Sequence, residues 1–363
     1  MGASETAADD LTLHGHKPRF AAGFQSVGDR TWAWMQPNGE LGESNAGLIV
    51  SGDHALMVDT LWDLKLTGRM LEAAGDLIDF DPQIIFNTHS DGDHVWGNQL
   101  LPDAEIISTT KAKELMPLDT PKAMAAMRRG GRVLEALGSL PVPVIGSLDI
   151  KALPRLPLRE LGREFKPFDF APVDLTLPSR TFDGSLKLAI GDRQVELIEV
   201  GPAHTGGDAI AWVPDVSVCF AADVLFVGCT PIMWAGPVSN WITALDTLIG
   251  LGASTFVPGH GPICGIDEVR LVRDYFEWVQ VEGVSRLGDG ESGPAIARRL
   301  LLSDEFVTLP WAKWDDPARL VVTLASEDHN RAGATLPLGG AARSRVVMKM
   351  ARTKADLARR AIG

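Results

Sequence analysis

A short pattern occurs twice along these 363 residues and limits the fold more than any other feature of the chain. Residues 46–60 form two apolar runs around the turn Ser51-Gly52-Asp53 and close on Asp59. Residues 64–78 then carry Leu64, Leu71, Leu77 and Ile78 at helical spacing, and Gln83-Ile84-Ile85-Phe86-Asn87-Thr88 is a short apolar strand running straight into His89. Later, residues 209–213 and 216–220 flank the turn Pro214-Asp215 and lead to Asp223. A helix over about 239–250 and the strand Thr255-Phe256-Val257 follow, and the run stops at His260. Each half therefore reads hairpin, acid, helix, strand, histidine. Strand, helix and strand in succession predict an α/β fold, and two such halves bring their strand ends to one cleft.

The chemistry concentrates at the first of those strand ends, in Thr88-His89-Ser90-Asp91-Gly92-Asp93-His94. Two imidazoles and two carboxylates in one tight glycine-containing turn can aim several ligands at one or two cations. Without a cation, carboxylates packed so closely at the mouth of an apolar strand would repel each other.

This turn resembles the His-x-His-x-Asp-His signature of the metallo-β-lactamase superfamily, and further motifs of that family occur in order over roughly residues 30–265. Asp59 closes the first hairpin. The run Gly201-Pro202-Ala203-His204-Thr205-Gly206-Gly207-Asp208 is similar to the later histidine motif, Asp223 to the bridging carboxylate, and Pro258-Gly259-His260-Gly261 to the final histidine in its Gly-His-Gly setting. The resemblance implies a four-layer αββα sandwich over residues 29–265, preceded by an N-terminal arm (1–28). The residue pattern itself reads as partly helical at 109–170 (over 110–116 and 121–138) and then Pro/Leu-rich, a cap over the cleft, and as a helical C-terminal extension over 266–363.

The resemblance also implies a ligand set. His89, position 91 and His204 would hold one metal, and Asp93, His94 and His260 a second, with Asp223 between them. Asp59 would steady the loop from behind the ligands. Zinc is the metal the resemblance implies, as one or two ions. The departure is Asp91, which stands where the family signature has its second histidine. A carboxylate there leaves three outcomes open: a first site that favours manganese or iron, a single-metal centre with Asp91 acting as a base, or metal binding without catalysis. In a working enzyme the ion lowers the pKa of its water to about 7, and Asp93 or Asp91 orients that water or passes its proton on. Trp234, Asn240 and Trp241 follow the bridging acid where family members line the substrate pocket, although apolar core explains the two tryptophans equally well.

The remaining signals bound the function. The net charge of −13 argues against a nucleic-acid partner. Three cysteines without CxxC spacing suggest neither a disulfide framework nor a thiolate zinc site. The first twenty residues lack a basic start followed by an apolar run, and no stretch is long and apolar enough to span a membrane, so a cytoplasmic protein is expected. His14-Gly15-His16 reads as part of a flexible arm, and the helical tail suggests a homodimer without naming an interface. Together these predict a hydrolase acting on a small, fairly apolar ester, thioester, lactone or amide. The alternatives are a hydrolytic dehalogenase of an activated aromatic ring and a non-catalytic metal-binding protein.

Overall fold

The computed structural model describes residues 11–139, 164–288, 290–337 and 340–362. Its first sheet has seven strands in chain order: β1 (Gly23–Gly28), β2 (Thr31–Met35), β3 (Ala46–Ser51), β4 (His54–Val58), β5 (Ile84–Phe86), β6 (Glu105–Thr109) and β7 (Arg180–Phe182). The meander β1–β4 is antiparallel, and β4 to β7 run parallel. The second sheet holds β8 (Ser185–Ile190), β9 (Arg193–Glu199), β10 (Ala209–Val213), β11 (Val218–Phe226) and β12 (Thr255–His260), all antiparallel except β11 beside β12.

The period-2 alternation of the strands builds the layers. In β3 and β4, Ile49, Leu56 and Val58 point between the sheets, while Leu48, Val50, Ala55 and Met57 point to the outer helices. In β11, Val218 and Phe220 face the first sheet, and Cys219 and Ala221 face outward. α1 (Leu64–Ala74), α2 (Gly92–Val95), α3 (Thr110–Leu115) and α4 (Pro121–Ser139) belong to the half built on the first sheet, where Leu66 and Met70 of α1 pack against its outer face. α5 (Val238–Gly250) and α6 (Ile266–Trp278) cover the second. The result is the four-layer αββα sandwich. Burying each Leu, Ile, Val, Met or Phe side chain among them contributes about 1.5–3 kcal/mol.

Both halves of the repeated pattern fold as hairpin, helix and parallel strand, β3–β4–α1–β5 and β10–β11–α5–β12. The cap's expected helices are α3 and α4; residues 140–163 of that insertion lie outside the described residues. The segment expected as an arm instead supplies β1, whose paired edge joins β2; Gly23 and Gly28 at its ends obscure the strand signal. His14 and His16 are likewise held, through Leu41 O and Glu40.

The C-terminal extension carries α6, α7 (Gly293–Leu301), α8 (Leu320–Arg331) and α9 (Gly340–Ile362). Its Val269, Phe276, Ile296, Trp311 and Leu324 share one apolar cluster with Cys219, Leu225 and Trp241 of the sandwich, so the two parts have a common core. No helix among the described residues is long and apolar enough to cross a membrane.

Candidate metal centre

Each ligand-bearing turn sits at a strand end. β5 delivers Thr88 and His89, after which Asp91 begins the four-residue helix α2 that carries Asp93 and His94. Gly92 is required there, because a Cβ would come within 2.4 Å of the Trp96 ring. β11 bulges at Ala222, which has a positive φ of 45°, and this turns Asp223 toward the cleft. β12 ends on His260, and the preceding Gly259 leaves room for Asp223: a Cβ there would stand 1.9 Å from Asp223 Oδ1. His204 sits in a turn knit by Asp208, whose carboxylate accepts from Ala203 N, Thr205 N and Thr205 Oγ1.

Hydrogen bonds behind the histidines fix which nitrogen faces the cleft. Asp59 Oδ2 lies 2.9 Å from His94 Nδ1, and Ile232 O lies 2.7 Å from His204 Nδ1. A carbonyl and a carboxylate only accept, so both Nδ1 atoms carry protons and each Nε2 points into the centre. Thr88 Oγ1 donates to Asp59 Oδ2 (2.7 Å) and so accepts from His89 Nδ1 (3.0 Å), which turns His89 Nε2 inward too.

Four imidazole Nε2 atoms then gather on Asp223: His94 at 3.1 Å, His204 at 3.3 Å, His260 at 3.5 Å and His89 at 3.9 Å. His260 Nε2 also lies 3.5 Å from Asp93 Oδ2. Two groups result, His89/His204/Asp223 and Asp93/His94/His260, each with its ligand atoms within 4.8 Å of one another. Asp91 stands outside both, with its Oδ2 3.1 Å from His204 Nε2.

The donor set fits a divalent cation. Among the described residues, His89 Nε2, His94 Nε2 and Asp223 Oδ1 are buried without a hydrogen-bond partner, an arrangement that costs about 1–3 kcal/mol per group in an apolar interior. The titration shifts express the same demand for positive charge. Burial works against the charge of His204, yet Asp223 and the bond to Asp91 push it up to about 9. Burial likewise opposes the charge of His94 and His260, and Asp223 raises both. Burial raises Asp223 and Asp91, but the surrounding histidines hold both well down. His89 moves the other way, lowered by burial and by His94.

Several positioning groups lie outside the ligand motifs, and of these only Asn98, just past the metal loop, is placed by the sequence as a brace for it. Asn45 Nδ2 donates to Pro258 O (2.9 Å) and Gly261 O (2.8 Å), bracing the His260 turn from the other sheet, and Ser44 Oγ donates to Asp93 O. Asn87 and Asn98 pair their amides beneath His94.

The structure separates the three residues expected to line the pocket. Trp241 is fully buried, donates from Nε1 to Val224 O and stacks on Phe276, so it is a core residue backing His204. The buried stripe of α5 explains this, since Val238, Trp241, Ala244, Leu245 and Leu248 share one face. Asn240 is half-buried on the same helix. Trp234 lies in the loop that wraps His204, where Trp234 N and Ala235 N both donate to His204 O. α8 clamps that loop through Ser326 Oγ to Met233 O (2.7 Å), Asn330 Nδ2 to Ala235 O (2.6 Å) and Val238 N to Glu327 Oε2 (3.0 Å).

A four-layer sandwich with buried histidines and aspartates gathered at its strand ends defines a metal-binding αββα protein. The sequence matches the Metallo-beta-lactamase superfamily over residues 39–260, and the chain belongs to that superfamily. The solved metallo-β-lactamase FIM-1 from Pseudomonas aeruginosa, in its mono-zinc form, aligns over 73% of this chain and 99% of its own, with a TM-score of 0.50 and 16% identity. A metallo-β-lactamase from Pontibacter korlensis aligns over 71% of this chain and 99% of its own, at a TM-score of 0.48 and 13% identity. Among curated proteins, 2,4-dinitroanisole O-demethylase subunit alpha from Nocardioides sp. (strain JS1661) is 33% identical over 94 residues, 24% of this chain. That match spans 27% of the relative's own length.

Proposed function

We propose that this chain is a metal-dependent hydrolase that turns a water on a small, fairly apolar ester, thioester, lactone or amide. The observation that carries the reading is the convergence of four imidazole Nε2 atoms on the buried Asp223 beside two carboxylates, Asp91 and Asp93, whose side chains stay 22% and 16% exposed to the cleft. His89, His204 and Asp223 would hold one cation and Asp93, His94 and His260 the other; zinc suits the histidine-rich donors, with manganese or iron for a first site that recruits Asp91. Such a cation supplies the charge that makes a water acidic near neutral pH and polarises the oxygen under attack.

The side chains divide the remaining work. Asp93 Oδ2, at the open side of the centre, orients the attacking water and receives its proton. As the water oxygen bonds to the acyl carbon and the bond to the leaving group breaks, the carboxylate that took the proton, Asp93 or in its place Asp91, returns it to the leaving atom. Asp59 keeps His94 in the tautomer that presents Nε2. Trp241 and Phe226 pack behind His204 and exclude water from its far side.

Displacement at an activated aromatic carbon is the second reading, and the segment shared with the O-demethylase subunit favours it. Both readings are tested by metal quantification on protein purified without added metal, together with turnover of a panel of esters, thioesters, lactones, haloaromatics and nitroaromatic ethers. Asp93→Ala and His94→Ala are expected to abolish turnover while the fold remains. Bound metal with no turnover across the panel would instead establish a binding protein.

A further inference from the structure

A further set of ligand-type side chains lies outside the metal centre, where the N-terminal segment meets the loop between β2 and β3. His14 comes from that segment, Glu40 and Glu43 from the loop, and each offers a ligand atom within 4.8 Å of the others. Short local bonds hold them there. Thr12 Oγ1 donates to Glu40 Oε2 (3.3 Å), His16 Nδ1 lies 2.5 Å from Glu40 Oε1, and Leu13 N donates to Glu43 Oε1 (3.2 Å). Gly39, at a φ of 66°, lets the loop lie against the turn of His260, since a Cβ there would stand 2.6 Å from Gly261 N.

Two observations mark the set as a cation site and not a chance gathering of acids. The first is His14, whose side chain is 7% exposed. Its Nε2 lies 2.8 Å from Leu41 O; a carbonyl only accepts, so Nε2 bears the proton and a neutral ring keeps its unshared pair on Nδ1. Ile232 O sets His204 of the metal centre in the same way. His14 Nδ1 has Glu164 Oε2 before it at 3.5 Å, longer than the roughly 2.7–3.2 Å of a hydrogen bond. The second is Glu43, fully buried with Glu40 beside it. Its oxygens accept from Leu13 N and Glu40 N, each at 3.2 Å, and no lysine or arginine among the described residues pairs with either acid. Neighbouring carboxylates shut from water need a proton on one or a cation between both. Without a cation, burial and then the charge of Glu40 push Glu43 up to about 7.

We propose that His14, Glu40 and Glu43 form a structural metal site, separate from the metal centre, that takes one zinc or manganese ion with His16 and Glu164 at its rim. One imidazole with two carboxylates suits these ions better than magnesium or calcium, which take oxygen donors. The ion pins the N-terminal segment to a loop that also serves the metal centre. Ser44 Oγ of that loop donates to Asp93 O, and Asn45 Nδ2 to Pro258 O and Gly261 O. The site steadies those braces and holds whatever reaction the centre performs.

Metal counting on the full chain with its centre disabled tests this. The triple variant His89→Ala/His94→Ala/His260→Ala lacks three ligands of the centre. Stripped with a chelator, loaded with zinc or with manganese and freed of excess, it is expected to retain about one equivalent by mass spectrometry. Adding His14→Ala to it is expected to remove that equivalent. Where the triple variant does not fold, single changes in the otherwise unaltered chain carry the test. His14→Ala and Glu43→Gln are each expected to hold about one equivalent less than the parent, while Ser44→Ala, which loosens the brace on Asp93 and keeps all three ligands, holds as much. The proposal is overturned if the folded triple variant retains no metal, if its metal survives His14→Ala, or if the single variants hold as much as the parent. Protonation of Glu43 would then meet the charge in place of a cation. Neither result touches the hydrolase reading, which stands or falls on the centre's own metal and turnover.

Discussion

Asp59 Oδ2 and His94 Nδ1 meet at 2.9 Å, with both side chains sealed from solvent. The same carboxylate accepts from Thr88 N and Thr88 Oγ1, so a single acid sets the orientation of His94 and, through Thr88, of His89.

Asp59→Asn keeps the shape and removes this control. An amide nitrogen placed toward His94 Nδ1 or Thr88 Oγ1 meets a donor where the acid offered an acceptor. Metal affinity is expected to fall about 10- to 100-fold, measured by competition with a coloured chelator. Unchanged affinity would show that the histidines hold their tautomers without Asp59.

Asp91 lies 3.1 Å from His204 Nε2 and outside both three-ligand groups. Its shorter side chain pairs with His204 instead of completing the His89 group. Asp91→His adds an imidazole ligand and removes a negative charge, so occupancy of the His89/His204/Asp223 site is expected to rise, and a rise at the centre from about one equivalent toward about two would show that the parent centre holds a single metal. Mass-spectrometric metal counting on the two purified proteins decides this. Equal metal content would mean that Asp91 already serves as a ligand.

The clamp from α8 gives a third expectation. Ser326 Oγ donates to Met233 O at 2.7 Å, and both residues are fully buried. Ser326→Ala leaves that carbonyl without its partner, at a cost of about 1–3 kcal/mol. The loop it holds also supplies Ile232 O to His204. Urea denaturation should show the loss of stability, and chelator competition should show weaker metal binding than in a surface control such as Ser285→Ala. A stability loss with unchanged metal affinity would confine the clamp to folding.

How much of this was legible in the sequence follows from how local each signal is. The hairpins, the helices of each half and the turn His89–His94 depend on neighbours within a few residues, and all appear where the pattern places them. The grouping of His204, Asp223 and His260 with that turn was legible through the order of the motifs. The partners of Asn45, more than two hundred residues away at Pro258 and Gly261, leave no local trace. The role of Asp91 turns on a difference of an ångström or two, which spacing does not encode. Trp241 was ambiguous because an aromatic residue on the apolar stripe of a helix next to a cleft satisfies core and pocket equally; only its complete burial assigns it.

Glu43 gives the pH-dependent prediction. It is fully buried in the loop before β3, accepting from Leu13 N and Glu40 N at 3.2 Å. Burial, and then the charge of Glu40, pushes its carboxyl from 4.5 up to about 7. The folded chain therefore holds a proton there until about pH 7, whereas the unfolded chain releases it near pH 4.5. Between those values the folded state binds more protons, so this group's contribution to stability is intact below pH 4.5 and declines as pH rises through about 7. Glu43→Gln carries no charge at either pH and loses one acceptor at both. Its stability relative to the parent chain is expected to improve by about 2–3 kcal/mol between pH 5 and pH 8, whatever the lost hydrogen bond costs. Urea denaturation of both proteins at the two pH values, in the same metal state, measures that double difference. A relative stability that stays constant with pH would show that Glu43 is already ionised in the folded protein, its charge met by the neighbouring His14 or by a cation in the His14–Glu40–Glu43 group.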